Sequence, residues 1–257
     1  MLLPIGDDNS DRTITPYVNY ILIAANILVF IFLQAGGANE LFTYAFSTVP
    51  AEIITGKDII TQGGVAIDPN TGVQFQVPPL AYTPVPVYFT LLTSMFMHGG
   101  WLHLAGNMLY LWIFGDNIEN RIGHTRYFIF YIICGVIASL SHVFSTVLLN
   151  QNSLVPSLGA SGAISGVLGA YLLLFPTRRV HALLFIFQIS IPAVLALGLW
   201  IVFQIVSGLG MLGGGDSGGV AYAAHIGGFF AGLLLIKFFD PIKNPAPKEA
   251  YITRIRR

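Results

Sequence analysis

Long apolar runs, nearly free of charge and interrupted by short polar breaks, organise this chain. The first, residues 17–35, is close to the ~20 apolar residues needed to cross a hydrocarbon core. A long connection follows, residues 36–88. Its first half (41–54) is apolar with scattered polar positions and predicts a helix lying in the membrane interface. Its second half predicts a hairpin, with strands at 65–67 and 73–77 and a turn at 68–72. Prolines 78, 79, 84 and 86 then discourage regular structure.

The second span is expected at 101–115, with 89–97 leading into it; the third is at 127–149 and the fourth at 158–175. The run 180–209 is too long for one crossing, and Pro192 divides it. We expect 180–190 to be interfacial or re-entrant and 191–209 to be span five. A glycine-rich loop, 210–219, precedes span six at 221–239. The pattern predicts an all-α membrane protein, a six-helix bundle with a long first external loop.

Composition agrees with that solvent. Only 9% of the residues are charged, against about 25% in soluble domains, and the mean hydropathy is +0.72. The net charge is zero and no basic block exists, so nucleic acid is not an expected partner. A single cysteine, Cys134, rules out an internal disulfide or a multi-cysteine metal site. Residues 1–19 lack a basic region and carry Asp7, Asp8 and Asp11, so no cleavable signal peptide is expected.

Lys and Arg set the orientation. With six spans and the N-terminus inside, Arg12, Arg121, Arg126, Arg178, Arg179, Lys237 and all five basic residues of the tail fall inside; only Lys57 falls outside. The expected topology is N-in/C-in. It comprises a cytoplasmic segment (1–16), a six-helix membrane domain (17–239) and a cytoplasmic basic tail (240–257), with no internal repeat or second domain.

Ionisable groups at membrane depth are costly and tend to face a cavity or partner. The candidates are His103 and Asn107 in span two, Ser161 and Ser165 in span four, and His225 in span six; His98 lies just before span two and His142 in span three. Spans two, four and six run the same way. His103, Ser161 and His225 each fall within about one helical turn of the start of their span, hence at one shallow depth. A histidine is the usual base for a nucleophilic serine. A second imidazole, an amide and backbone N–H groups could supply oxyanion donors. His103 and Asn107, four apart, share a helical face. With no carboxylate in these layers, the site would be a Ser161/His225 dyad. A serine among glycines can equally be packing material, and a lone intramembrane histidine structural; for His142 and His98 the structural reading stands beside any other.

The stretches His98-Gly99-Gly100-Trp101-Leu102-His103-Leu104-Ala105-Gly106-Asn107, Gly159-Ala160-Ser161-Gly162 and Ala224-His225-Ile226-Gly227-Gly228, with Gly232 beyond, resemble the rhomboid family of intramembrane serine proteases, over residues 93–239. The resemblance implies Ser161 as nucleophile and His225 as general base. It implies His103, Asn107 and the Ser161 backbone N–H as the oxyanion site, and Gly159 as the residue that lets the oxyanion loop turn. Gly162, Gly228 and Gly232 would let the helices approach closely, and Glu119 with Arg121 would form a structural charged patch. Two departures stand out. Phe89-Thr90 occupies the place of a Trp-Arg pair, and Ser165 the place where some members stack an aromatic ring on the catalytic histidine.

The expected substrates are transmembrane helices of other membrane proteins, cleaved near their outer ends within the bilayer of the cell membrane, at a site opening to the outer side. No metal or organic cofactor is implied. The glycine-rich loop suggests a lid, and span five (Trp200, Phe203) a lateral gate. Gly213-Gly214-Gly215-Asp216 matches the Gly-x-Gly-Asp of aspartyl intramembrane proteases but lies in a polar loop without a partner aspartate, and no His-Glu-x-x-His is present. The alternatives from other classes are a non-catalytic relative that binds membrane helices as a chaperone or retention factor, and a small transporter with His103, Asn107 and His225 as a proton path.

Overall fold

The computed structural model describes residues 2–67, 74–149, 151–212 and 221–240. The chain opens on a strand, β1 (Leu2–Asp7), followed by α1 (Tyr17–Leu28), which continues through a π turn to Leu33. The long connection holds two short helices, α2 (Glu40–Ala45) and α3 (Pro50–Thr55), in place of one interfacial helix. It then forms the hairpin β2 (Gly64–Ile67) and β3 (Gln74–Val77), antiparallel with Gly64 opposite Val77. The turn expected at 68–72 lies outside the described residues, as do most of the glycine-rich loop, including Asp216, and the basic tail.

A short helix, α4 (Thr90–Thr93), leads into α5 (Trp101–Tyr110), which runs on through a π turn (Leu111–Gly115) into α6 (Asp116–Ile122). The helix expected at 101–115 is therefore longer than its apolar run; it continues until Gly123, at φ 82, breaks it. Then come α7 (His124–Leu148) and α8 (Ser161–Leu174). The strands β4 (Arg179–Leu184) and β5 (Phe187–Pro192) precede α9 (Ala193–Leu212) and α10 (Tyr222–Phe239). Among the described residues, three helices are long and apolar enough to cross a membrane, in α7, α9 and α10; those at Tyr17–Leu33 and Ser161–Leu174 are apolar but shorter.

The bundle's centre is the contact of α8 with α10. Every residue of α8 from Gly162 to Tyr171 is buried. A Cβ at Gly228 would strike the carbonyl oxygen of Gly162, and one at Gly232 that of Gly166. Backbone thus packs directly on backbone, as small residues allow in membrane helices. At the same place α7 closes in: a Cβ at Gly162 would lie 2.7 Å, and one at Gly228 3.2 Å, from the Ala138 Cβ of α7. The outward faces of the helices carry Phe144, Leu199, Phe203 and Leu234, all exposed. Such a continuous apolar surface suits lipid and not water.

At the end of the bundle opposite Ser161, the expected interfacial segment 180–190 is a β-hairpin, and the N-terminal strand joins it in a sheet of order β1-β4-β5. The all-α expectation is corrected accordingly to a helical bundle with two small sheets. Period-two alternation explains the change. Val180 pairs with Ile191 and Ala182 with Ile189, so these apolar residues share one face, and Val180 and Ala182 are fully buried.

This end is tied by polar contacts. The Glu119 carboxylate accepts the N–H groups of Val18 (2.9 Å) and Asn19 (2.7 Å), satisfying orphan donors at the start of α1. Arg121 donates two bonds to Asp240 at the end of α10, at 3.0 and 2.9 Å. Arg12 pairs with Asp116, and Arg178 with Asp11 and Asn117. Asp7, at the end of β1, joins three elements: its Oδ2 accepts from Tyr171 of α8 (2.5 Å) and Asn117 of α6 (2.8 Å). Its Oδ1 is buried and has no partner among the described residues.

Burial pushes the Asp7 carboxyl up to about 7; Asp116 adds to this, while the Tyr171 hydrogen bond, Arg178 and Arg12 oppose it. The folded value lies above the ordinary 3.8, so between 3.8 and about 7 the folded state holds a proton that the unfolded chain has released. Stability contributed at this site should therefore decline as pH rises through that window. Asp7→Asn should flatten the decline and be the more stable form above it, measured as thermal unfolding midpoints in detergent; parallel wild-type and variant curves would contradict this. Gly232→Val should force α8 and α10 apart and cost about 1–3 kcal/mol or more. Gly106→Ala, where a Cβ meets open space, should leave the midpoint near wild type.

Candidate active site

Ser161 is the first residue of α8, after Ala160 at its N-cap. Its backbone N–H therefore lies in the first turn, where no intrahelical acceptor exists. His225 lies one turn into α10. The glycine-mediated approach of the two helices brings His225 Nε2 to 2.8 Å from Ser161 Oγ. Ser165, one turn further along α8, donates its hydroxyl to the Ser161 carbonyl at 2.7 Å.

The segment entering α8 is pinned by Gly159 N–H donating to the Ser94 carbonyl at 2.9 Å. Gly159 has φ +123, a region that L side chains rarely adopt. A Cβ there would come within 2.8 Å of His103 Nε2. Glycine thus both permits the turn and makes room for the imidazole. His103 Nδ1 accepts the Gly99 N–H at 3.3 Å, which leaves its proton on Nε2, directed at the turn before Ser161.

Asn107, one turn beyond His103 on α5, stands with its amide nitrogen 2.9 Å from His98 Nε2. His98 is buried and packed edge-on against Phe30 and His103. Its backbone is clamped by one side chain: Gln34 donates to the His98 carbonyl and accepts its N–H, both at 2.9 Å. The imidazole of His98 is therefore a support for Asn107, tied to α1.

The structure brings Ser161, His225, His103, Asn107 and Gly159 to one cavity of about 1380 Å³, which His142 also lines. Gly228 and Gly232 lie behind it, at the helix contact. Sequence reasoning missed Gln204 at this site and named Trp200 only as part of a lateral gate. The Gln204 side-chain oxygen lies 2.7 Å from His225 Nδ1, and the Trp200 ring lies 6.0 Å from the imidazole, inclined by 35°. Both come from α9, one turn apart. The signal was present, because Gln204 is the one polar side chain in the apolar stretch 193–206. Its direction was not readable without the packing.

Residues 86–240 match the Rhomboid domain family. Among similar proteins, Rhomboid protein 1, mitochondrial, of Saccharomyces cerevisiae is 34% identical over 146 residues, covering 56% of this chain and 40% of the relative. Rhomboid protease GluP of Bacillus subtilis is 30% identical over 222 residues, 86% of this chain and 35% of the relative. The human presenilin-associated rhomboid-like protein, mitochondrial, is 31% identical over 186 residues, 67% and 47%. The chain thus spans about a third to a half of the length of these relatives. With its lipid-suited helices and a family match across most of the bundle, the chain is an integral membrane protein and belongs to the rhomboid family.

Proposed function

We propose that the protein is an intramembrane serine endopeptidase that cleaves transmembrane helices of other membrane proteins near their outer ends. One observation carries the reading: the 2.8 Å contact between Ser161 Oγ and His225 Nε2 in a cavity large enough to admit an unwound peptide. The family match supports it, as does a relative whose name describes it as a protease.

In this reading Ser161 Oγ attacks the scissile carbonyl carbon while its proton passes to His225 Nε2. The resulting oxyanion accepts hydrogen bonds from the Ser161 backbone N–H, His103 Nε2–H and the Asn107 amide. Collapse breaks the C–N bond, and His225 returns its proton to the leaving amine. Water then attacks the Ser161 ester, giving a proton to His225, and the second collapse releases the carboxyl product and restores the serine hydroxyl. The hydrocarbon core cannot supply that water; a cavity at the shallow end of α8 can. Small or helix-breaking residues in the substrate favour cleavage, since the peptide bond must leave its helix to reach Ser161.

The same reading takes α1, the helix continuous from Trp101 to Ile122, α7, α8, α9 and α10 as six spans. Residues 1–16 and 240–257 flank this membrane domain on the cytoplasmic side, and the site opens outward from the cell membrane.

The test is cleavage of a single-span model substrate in proteoliposomes, with fluorophosphonate labelling of Ser161 as a second readout. Ser161→Ala and His225→Ala should each abolish cleavage while retaining the wild-type thermal midpoint. Asn107→Ala should lower kcat by roughly 10²–10³-fold. Full activity in Ser161→Ala would sink the proposal. A wild type that captures the substrate helix, leaves it intact and resists labelling would be a binding protein.

A further inference from the structure

His225 is contacted on two sides, and only one of them is Ser161. For Nε2 to accept the serine proton it must present its lone pair, so the ring proton must reside on Nδ1. Which nitrogen of a histidine carries the proton is set by the partner of the other one. Here that partner is the Gln204 side-chain oxygen at 2.7 Å. A carbonyl oxygen can only accept. The contact therefore holds the proton on Nδ1 and turns Nε2 toward Ser161.

We infer that Gln204 is a positioning residue for His225, fixing its tautomer and, together with Trp200, the plane of its ring. Gln204 is 6% exposed, so little of its amide is open to competing water. Trp200, four residues earlier on the same helix, stands beside the imidazole with ring centroids 6.0 Å apart, and equally 6.0 Å from the Phe229 ring. The imidazole thus has an amide bonded at its edge and an indole beside it, both from α9. Ser165, one turn after the nucleophile, bonds the Ser161 carbonyl instead. No carboxylate is needed at this depth: a neutral amide orients the ring without the cost of placing an anion in apolar surroundings.

The kinetic consequence rests on the serine-protease reading, but the tautomer does not, and this separates the two tests. Protein carrying ¹⁵N-labelled histidine, with the His225 signals assigned by comparison with His225→Gln, reports the protonated ring nitrogen directly. The wild type should show His225 protonated on Nδ1, a result that needs no further variant to fold. Gln204→Leu should lose that preference. Its kcat should fall roughly ten- to hundredfold, with KM within about twofold, and the rate of Ser161 labelling should fall by the same factor. Gln204→Glu, which keeps an acceptor oxygen at the same reach, should restore the Nδ1 proton and most of kcat. A wild-type His225 protonated on Nε2, or a Gln204→Leu protein with wild-type tautomer and kcat, would overturn the assignment. If the wild type cleaves nothing and resists labelling, the protease reading fails, and the tautomer measurement still decides the role of Gln204.

Discussion

The backbone-on-backbone contact of α8 and α10 is the constraint on which the site depends. Gly228 lies against the Gly162 carbonyl and Gly232 against that of Gly166, so the two helices approach as closely as main chains allow. Lipid offers no hydrophobic drive to press helices together, and association comes from dispersion contacts between surfaces that fit. The same approach sets a chemical distance. Ser161 and His225 project from these two helices, and their 2.8 Å separation follows from how near the helix axes run. A side chain larger than hydrogen at the contact would move the serine and the imidazole apart by the same displacement.

Around that contact, each polar group of the site is held by a different element. His103 takes its acceptor bond from Gly99 N–H, His98 supports Asn107, and Gln34 of the α1 end secures the His98 backbone. Gln204 holds His225 from α9. Each of these groups would be expensive to bury unpaired, so the pairings both stabilise the bundle and set the direction of every ring. Side chains whose rotamers are fixed in advance need little rearrangement when charge develops beside them, the property expected of a preorganised site.

The opposite end solves a different problem. There charged and polar side chains close the helix ends against one another. Glu119 caps α1, Arg121 reaches Asp240, and β1 is anchored by Asp7 against Tyr171 and Asn117. The residues at that end tie α1, α6, α8 and α10 to one another and to the sheet. The N-terminal strand is accordingly part of the folded unit rather than a tail hanging from it.

Much of this was legible in the residues. Apolar runs marked the helices because a lipid-facing or buried helix must be apolar along its length, and the family resemblance implied the close contact at Gly228 and Gly232. The candidates Ser161, His225, His103 and Asn107 stood out because polar groups in such runs are costly, Gly159 was implied by the resemblance, and all five turned out to share one cavity. Three things were decided only by tertiary structure. Residues 180–192 pair as strands because β1, far away in sequence, supplies a partner and the bundle end buries Val180 and Ala182; the apolar string alone is equally compatible with a helix. His98 became a support and not an idle interfacial residue only once Asn107 and Gln34 were folded against it. Gln204 was visible as a polar residue in an apolar helix, but a helix places its side chains all round its axis. Only the packing of α9 against α10 could choose His225 as its partner.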